Sequence, residues 1–207
     1  ALEQTGMSAV LGGDAEAVLA GIEAHGLFPA NRNGAGQIVA AGALDALAAL
    51  AAEPPAKARI IALQVAGAFH TPFMAPAETA LAALAGQITV ADPRGILLSN
   101  LDGTSVERGA EVLERLVHQV TAPVRWDLCM RTLKDLNVTG IIELPPAGTL
   151  AGLLKRELKG DGAPEIVTLN TPDDLAAARD LIARHGATPS PQPAPAEPLI
   201  ATEGATR

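Results

Sequence analysis

Residues 5–66 carry two hydrophobic periodicities in a definite order. Alternating apolar residues predict strands in "GMSAVLGG", in both arms of "LFPANRNGAGQIVAAG" and in "ARIIALQV". A period near 3.6 residues predicts one helix after the N-cap Asp14 and a second helix that ends at Pro54. The resulting order β-α-β-β-α-β is that of the split βαβ, or ferredoxin-like, arrangement, and we predict this arrangement for residues 5–66.

Residues 67–186 have a different sequence pattern, which predicts alternating helices and strands. The predicted strands are "GILLSN", "GIIEL" and "EIVTL", each followed by a helical pattern. Such alternation indicates an α/β unit whose strands belong mainly to a parallel sheet. Residues 187–207 contain five prolines and little that could be buried, so we predict a disordered tail there.

Composition narrows the function classes. The chain has 207 residues, a formal net charge of −8 and only 2% aromatic residues, which argues against a nucleic-acid or anionic-membrane binder. The single cysteine excludes an internal disulfide and is compatible with a reducing cytosol, so we expect a cytoplasmic protein. No apolar run approaches the roughly 20 residues that span a bilayer, and "ALEQTGMSAV" lacks the basic start of a secretion signal.

Three of the four histidines have structural explanations. His25 and His185 each occupy the last turn of a predicted helix before a glycine, where they can interact with the last carbonyls. His118 lies beside the apolar face of a helix and is expected on the surface. His70, in "GAFHTPFM", follows a predicted strand and precedes a helix, a place where α/β proteins carry catalytic side chains, although closing a loop would also explain it.

A catalytic histidine needs a nucleophile, and the sequence offers no clear one. No serine lies in a G-x-S-x-G elbow, Cys129 falls on the apolar stripe of a helix, and no metal-ligand spacing is present. "PPAGT" could present N–H groups to an anion but is not a Walker A loop. Basic residues that could form a docking patch, or simply a solvated surface, are Arg125, Arg131, Lys134, Lys155, Arg156 and Lys159.

At "VAGAFHTPFMAPA" the chain resembles the malonyl-CoA:acyl-carrier-protein transacylases and the related acyltransferase domains of fatty-acid and polyketide synthases. The resemblance extends over about residues 7–160, through "ANRNGAGQIVAAG", "LLSNLDG", "HQVTAPVRW" and "ELPPAGTLAGLLKR". It implies an α/β-hydrolase-like large subdomain with an inserted ferredoxin-like small subdomain. Residues 5–66 would be the small subdomain and residues 67–186 the C-terminal part of the large one.

The resemblance also implies a mechanism. In that family a serine attacks malonyl-CoA, forms an acyl ester and passes the malonyl group to the phosphopantetheine thiol of acyl carrier protein. His70 matches the general base, and Gln119 matches the residue whose backbone carbonyl orients that base. The family's serine, its malonyl-binding arginine and its oxyanion-hole glutamine all match positions upstream of residue 1. We therefore expect a C-terminal portion of the enzyme, partnered by the missing N-terminal part, with no cofactor or metal.

Two residues bear on the substrate. Phe69 forms the A-F-H motif that accompanies malonyl in related domains, where A-S-H accompanies methylmalonyl, so the resemblance favours malonyl. Asn33 matches a position near the bound substrate, although turn formation explains it equally well. "ELPPAG" departs from the E-x-G-P-G of many members. The alternatives are an acyltransferase domain of a polyketide synthase and a ferredoxin-like binding module without catalysis.

Overall fold

The computed structural model describes residues 4–186, so the predicted tail at 187–207 lies outside the described residues. The part of the chain up to residue 62 has the predicted element order, strand-helix-strand-strand-helix-strand. Its elements are β1 (Thr5–Gly12), α1 (Ala15–Ala24), β2 (Phe28–Gly34), β3 (Gln37–Ala43), α2 (Leu44–Ala52) and β4 (Ala58–Ala62).

The four strands form one antiparallel sheet in the order β2-β3-β1-β4. Alternating side chains of the central strands point to opposite faces, and each face has its own core. The face that carries Val10 packs against α1 and α2 through Val18, Ile22, Leu47 and Leu50. The other face carries Met7, Val39 and Ala41, and it packs against Ala68, which belongs to the segment that leads to His70.

Strand β4 is shorter than the pattern "ARIIALQV" predicts, because it ends at Ala62. The Leu63 N–H still donates to the Met7 carbonyl at 2.9 Å, but the Val65 N–H turns back to the carbonyl of Leu63 at 3.0 Å. The local turn takes the place of the next sheet bond, and the chain leaves the sheet. His70 therefore lies eight residues beyond the end of β4, and it still follows a strand and precedes a helix as predicted.

The remaining described residues form helices and two short sheets. The helices are α3 (Ala75–Ala85), α4 (Gly109–His118), α5 (Trp126–Asp135), α6 (Thr149–Glu157) and α7 (Leu175–His185), with short 3-10 turns at Pro72–Met74 and Pro172–Asp174. The strands are β5 (Leu97–Leu98), β6 (Ser105–Val106), β7 (Gly140–Glu143) and β8 (Glu165–Thr168). The architecture is thus α/β with mixed sheets.

The two short sheets differ in direction. Strands β7 and β8 are parallel, as the sequence predicts, with Ile141 opposite Ile166. The prediction of a mainly parallel sheet is wrong for "GILLSN", because β5 pairs antiparallel with β6. The reason is a tight turn in which Asp102 accepts the Thr104 N–H at 3.0 Å and Gly103 has φ +73°. Only six residues, 99–104, join the two strands, which is too few for the crossover that a parallel pair needs.

Gly103 gives a test of this turn. A Cβ at residue 103 would lie 2.6 Å from the backbone carbonyl carbon of Leu128, whereas a Cβ at Gly26, with a similar φ of +68°, meets nothing within 4 Å. We expect Gly26→Ala to lower the free energy of unfolding by about 1 kcal/mol, from backbone strain alone. Gly103→Ala should lower the free energy of unfolding by about 2 kcal/mol more than Gly26→Ala does, because α5, which carries Leu128, must shift. Urea denaturation of both variants measures the difference, and equal losses would contradict the predicted clash.

Among residues 4–186, no helix is both long enough and apolar enough to cross a membrane.

Candidate active site

His70 lies in a strained turn that buried groups hold in place. Its φ is +59°, a left-handed conformation that is uncommon for a side chain with a Cβ. The buried Thr71 hydroxyl donates to the Ala68 carbonyl at 2.6 Å, and the Ala68 N–H donates to Thr5 Oγ1 at 3.1 Å. The turn is therefore anchored to the first residue of β1, and strain of this kind is often found at functional sites.

The ring of His70 is hydrogen-bonded to the backbone of Gln119, which directly follows α4. The Nδ1 atom lies 2.7 Å from the Gln119 carbonyl oxygen. Because a carbonyl can only accept, Nδ1 must carry the proton. In the neutral ring Nε2 then holds the lone pair and can accept a proton from a substrate or a nucleophile.

A proline explains why the Gln119 carbonyl is available. In a continuing helix this oxygen would accept the N–H of the residue four positions later, which here is Pro123 and has no N–H. The side-chain amide of Gln119 locks the same turn by donating to the carbonyls of Ala122 at 2.8 Å and Pro123 at 3.0 Å. The carbonyl is thus left without a helical partner and is held rigidly.

The segment after this turn is fastened to the four-stranded sheet. The Val124 N–H donates to the Ala30 carbonyl at 2.9 Å, and the Arg32 N–H donates to the Val124 carbonyl at 2.8 Å. Strand β2 therefore holds the chain that presents Gln119. The β-α-β-β-α-β part supports both members of the His70–Gln119 pair, one through Thr5 and the other through β2.

The two predicted substrate residues lie in different places. Phe69 directly precedes His70, and 40% of it is exposed. Asn33 lies near the far end of β2, and its side chain donates to Gln37 across the hairpin at 3.3 Å. Within the described residues neither Asn33 nor Phe69 has a hydrogen bond to His70 or Gln119. The Asn33–Gln37 contact favours the turn explanation that the sequence left open.

No nucleophile accompanies His70 in the part of the chain that the structure describes. Ser8 and Ser99 are buried, Ser105 lies on β6, and Ser190 is outside the described residues. Cys129 is buried on α5, as predicted, and its thiol lies 3.4 Å from the Ser99 carbonyl. No cluster of three metal-ligating side chains occurs within residues 4–186.

The thiol of Cys129 should be chemically inert. Burial raises its pKa to about 11, and the negative charges of Asp127 and Asp102 add to the rise. At pH 8 the thiolate fraction is then about 100-fold lower than for a thiol of ordinary pKa. We expect iodoacetamide to alkylate the native protein at pH 8 at least about 100-fold more slowly than the urea-unfolded protein. A native rate equal to the unfolded rate would contradict this assignment.

The N–H groups that follow "PPAG" already bind a carboxylate of the protein itself, which sequence reasoning missed. The carboxylate of Glu143, at the end of β7, accepts the N–H groups of Gly148 at 2.8 Å, Leu150 at 2.9 Å and Ala151 at 2.9 Å. Burial alone would raise the pKa of Glu143, but these three donors outweigh it and lower the pKa below the usual value of 4.5. The N-terminus of α6 is therefore not a free anion site.

The other predicted charged sites have local partners. His25 Nδ1 lies 2.7 Å from the Gly21 carbonyl at the end of α1, so the prediction that His25 caps this helix is confirmed. His185 instead bonds to Glu165 at 3.0 Å and to Thr139 at 3.1 Å, so its role is structural but its partners are not the last carbonyls of α7. The His118 side chain is 58% exposed, as expected. Arg125, the residue before α5, forms two 2.9 Å hydrogen bonds with Asp127, and the carboxylate offsets the charge of the guanidinium. The proposed docking patch consequently loses one of its cations.

Comparisons with known proteins find relatives that match most of this chain. The malonyl CoA-acyl carrier protein transacylase of Mycobacterium tuberculosis is 58% identical over 176 residues, which are 85% of this chain and 58% of the relative. That of Mycolicibacterium smegmatis is 55% identical over 179 residues, covering 84% of this chain and 61% of the relative. The chain is a homologue of these transacylases. It therefore spans about three fifths of the length of the curated relatives that it matches.

Solved transacylases share the fold. The crystal structure from M. tuberculosis superposes with a TM-score of 0.80 at 58% identity, covering 84% of this chain and 57% of the other. A type II PKS acyl-carrier protein in complex with its malonyl-transacylase matches with a TM-score of 0.76 at 25% identity, covering 86% and 58%. No model of a protein family matches the chain.

Proposed function

We propose that these residues supply the histidine part of the active site of a malonyl-CoA:acyl-carrier-protein transacylase that serves fatty-acid biosynthesis. The observation that carries the proposal is the 2.7 Å contact between His70 Nδ1 and the Gln119 carbonyl, which leaves Nε2 as a base. The relatives that are 55–58% identical bear this transacylase name. His70 is the proposed general base and Gln119 the residue that orients it.

The chemistry requires a serine outside these 207 residues. As that hydroxyl attacks the thioester carbon of malonyl-CoA, Nε2 of His70 takes its proton, and the C–S bond breaks to leave malonyl-serine. The imidazolium gives the proton to the departing CoA sulfur. In the second step the phosphopantetheine thiol loses its proton to Nε2, attacks the ester carbon and releases the serine, which regains a proton.

The fold assignment belongs to the same proposal. We take residues 5–66 as a ferredoxin-like small subdomain and residues 67–186 as the C-terminal part of an α/β-hydrolase-like large subdomain. The sheet order β2-β3-β1-β4 with two helices on one face supports the first assignment. The parallel pair β7-β8, flanked by helices, supports the second.

Phe69 is the proposed determinant of the acyl group. Phe69 directly precedes the base in the chain and is partly exposed, so its ring is available to occupy space that a methyl branch would need. We expect Phe69→Ser in the complete enzyme to shift the ratio of kcat/KM for malonyl-CoA over methylmalonyl-CoA by about 10-fold toward methylmalonyl, since one methyl group corresponds to about 1–3 kcal/mol. Phe73→Ser is the matched control, because the Phe73 ring packs edge-on against Phe28, with the two ring centroids 6.1 Å apart.

The function itself is tested with the complete polypeptide. Incubation with radiolabelled malonyl-CoA should label the protein through an ester on serine, and addition of acyl carrier protein should discharge the label onto the carrier. Failure of labelling would remove the proposal and favour a binding module without catalysis. Discharge onto a polyketide carrier protein but not onto a fatty-acid carrier protein would favour the polyketide pathway, as the complex of a type II PKS carrier protein with its malonyl-transacylase suggests.

We further propose that acyl carrier protein docks on the exposed basic side chains of α5 and α6, with Arg131 and Lys155 as the main contacts. Arg125 is a weaker candidate because Asp127 pairs with it. A cytoplasmic site of action fits the single, buried cysteine.

A further inference from the structure

A carboxylate on α3 reaches the turn that presents Gln119. The Thr121 hydroxyl donates a hydrogen bond to Glu78 Oε2, with 2.7 Å between the oxygens, and Glu78 Oε1 lies 3.4 Å from His118 Nδ1. His118 immediately precedes Gln119, and Thr121 follows it by two positions. The Glu78 side chain therefore contacts side chains on both sides of Gln119, the residue whose carbonyl bonds His70.

The position of Glu78 along the chain gives this contact its significance. Helix α3 begins five residues after His70, and it packs against α4. The start of α3 consequently lies beside the end of α4, where Gln119 is found. A bond from Glu78 to the Gln119 turn ties the segment that follows the imidazole to the segment that carries its acceptor.

The strengths of the two Glu78 contacts differ. The His118 side chain is 58% exposed and its contact is long, so it contributes little. The Thr121 bond is short, charge-assisted and partly buried, and the Thr121 hydroxyl is also 3.3 Å from the His118 carbonyl. Of the two Glu78 contacts, the bond with Thr121 thus contributes most of the restraint that Glu78 adds to the turn, beside the bonds of the Gln119 amide and of Val124.

We propose that Glu78 is a positioning residue, which acts through Thr121 to hold the Gln119 carbonyl at hydrogen-bonding distance from His70 Nδ1. Its hydrogen bonds are to Thr121 and His118 and not to the His70 ring. Without it the turn can relax by a fraction of an ångström, the carbonyl leaves Nδ1, and the neutral ring no longer keeps its proton on that nitrogen. This inference rests on the proposed function for its kinetic consequence, but not for its structural one.

The structural consequence is measured first. In the complete enzyme with ¹⁵N-labelled histidine, His70 should appear as the Nδ1–H tautomer at pH values where the ring is neutral. Glu78→Ala and Thr121→Val should each introduce a substantial fraction of the Nε2–H tautomer. Thr79→Val, which removes a hydroxyl that bonds only within α3, should leave the spectrum of His70 unchanged. An unchanged tautomer in both Glu78→Ala and Thr121→Val would overturn the proposal.

The kinetic consequence distinguishes positioning from general packing. We expect Glu78→Ala and Thr121→Val to lower kcat about 10-fold with KM for malonyl-CoA within about 2-fold, because misorientation of the base affects the chemical step. Glu78→Gln and Thr121→Ser keep an acceptor and a donor and should restore most of kcat. Failure of both conservative variants to restore kcat would overturn the proposal. An inactive wild-type enzyme would refute the proposed function instead, and the tautomer would still decide this inference.

Discussion

Replacing His70 with alanine in the complete enzyme is expected to lower kcat/KM for malonyl transfer by about 10²- to 10⁴-fold. The serine hydroxyl would lose its base, and the CoA sulfur would lose its proton donor. The residual rate should come from binding and from the oxyanion site alone. Single-turnover formation of the malonyl ester measures the first chemical step directly and should be slowed by the same factor.

The control for this variant is His118→Ala. The same side chain is removed there, but from an exposed position without a bond to Gln119's carbonyl. Its kcat/KM should stay within about 2-fold of wild type, as expected for an exposed substitution. If His70→Ala also retained its activity, His70 would be a loop-closing residue, and the catalytic assignment would be wrong.

Glu143→Ala is expected to lower the free energy of unfolding by about 3 kcal/mol. The carboxylate accepts three backbone N–H groups at the start of α6, and its removal leaves these buried or half-buried donors without a partner. Glu143→Gln should retain only a part of this stabilisation, because the amide has one acceptor oxygen and turns an NH₂ group toward the N–H donors. Urea denaturation at pH 7 measures both losses.

The same bonds predict a pH dependence. The pKa of Glu143 is lowered in the folded protein, so its contribution is complete at pH values above the unfolded pKa near 4.5 and is lost as the pH falls through the folded pKa. The stability difference between wild type and Glu143→Ala should therefore shrink in acid. Glu53→Gln, at an exposed carboxylate, is the control and should change stability by less than about 0.5 kcal/mol. A difference that does not vary with pH would contradict the role of the carboxylate.

Sequence patterns predict the elements of residues 5–62 well, because helix caps and apolar periods depend on residues that are close in the chain. The N-cap Asp14 accepts the Ala17 N–H at 3.0 Å, and the apolar period places Val18 and Ile22 in the core. The same local reasoning fails at β5, where a six-residue connection returns the chain antiparallel in place of a helical crossover. It fails again at β4, whose last apolar residues leave the sheet.

The site is less accessible to sequence reasoning. His70 stands out by its place in the chain, but Gln119 acts through a backbone carbonyl, and any residue type has one. Pro123 is the signal that could have pointed to this carbonyl, because a proline four positions later removes its helical donor. For Glu143 the signal is an acid at the end of a predicted strand, a few residues before a helix N-terminus.

The amino-acid sequence alone determined the order of the elements up to residue 62, the burial of Cys129 and the singular position of His70, because each depends on nearest neighbours and periodicity. The tertiary structure alone decided which groups meet. Gln119 reaches His70 across 49 positions, and Glu78 reaches Thr121 across 43. Such contacts arise when α3 packs on α4 and β2 holds Val124. An apolar period shows which face of an element is buried, but it does not show which distant segment covers that face.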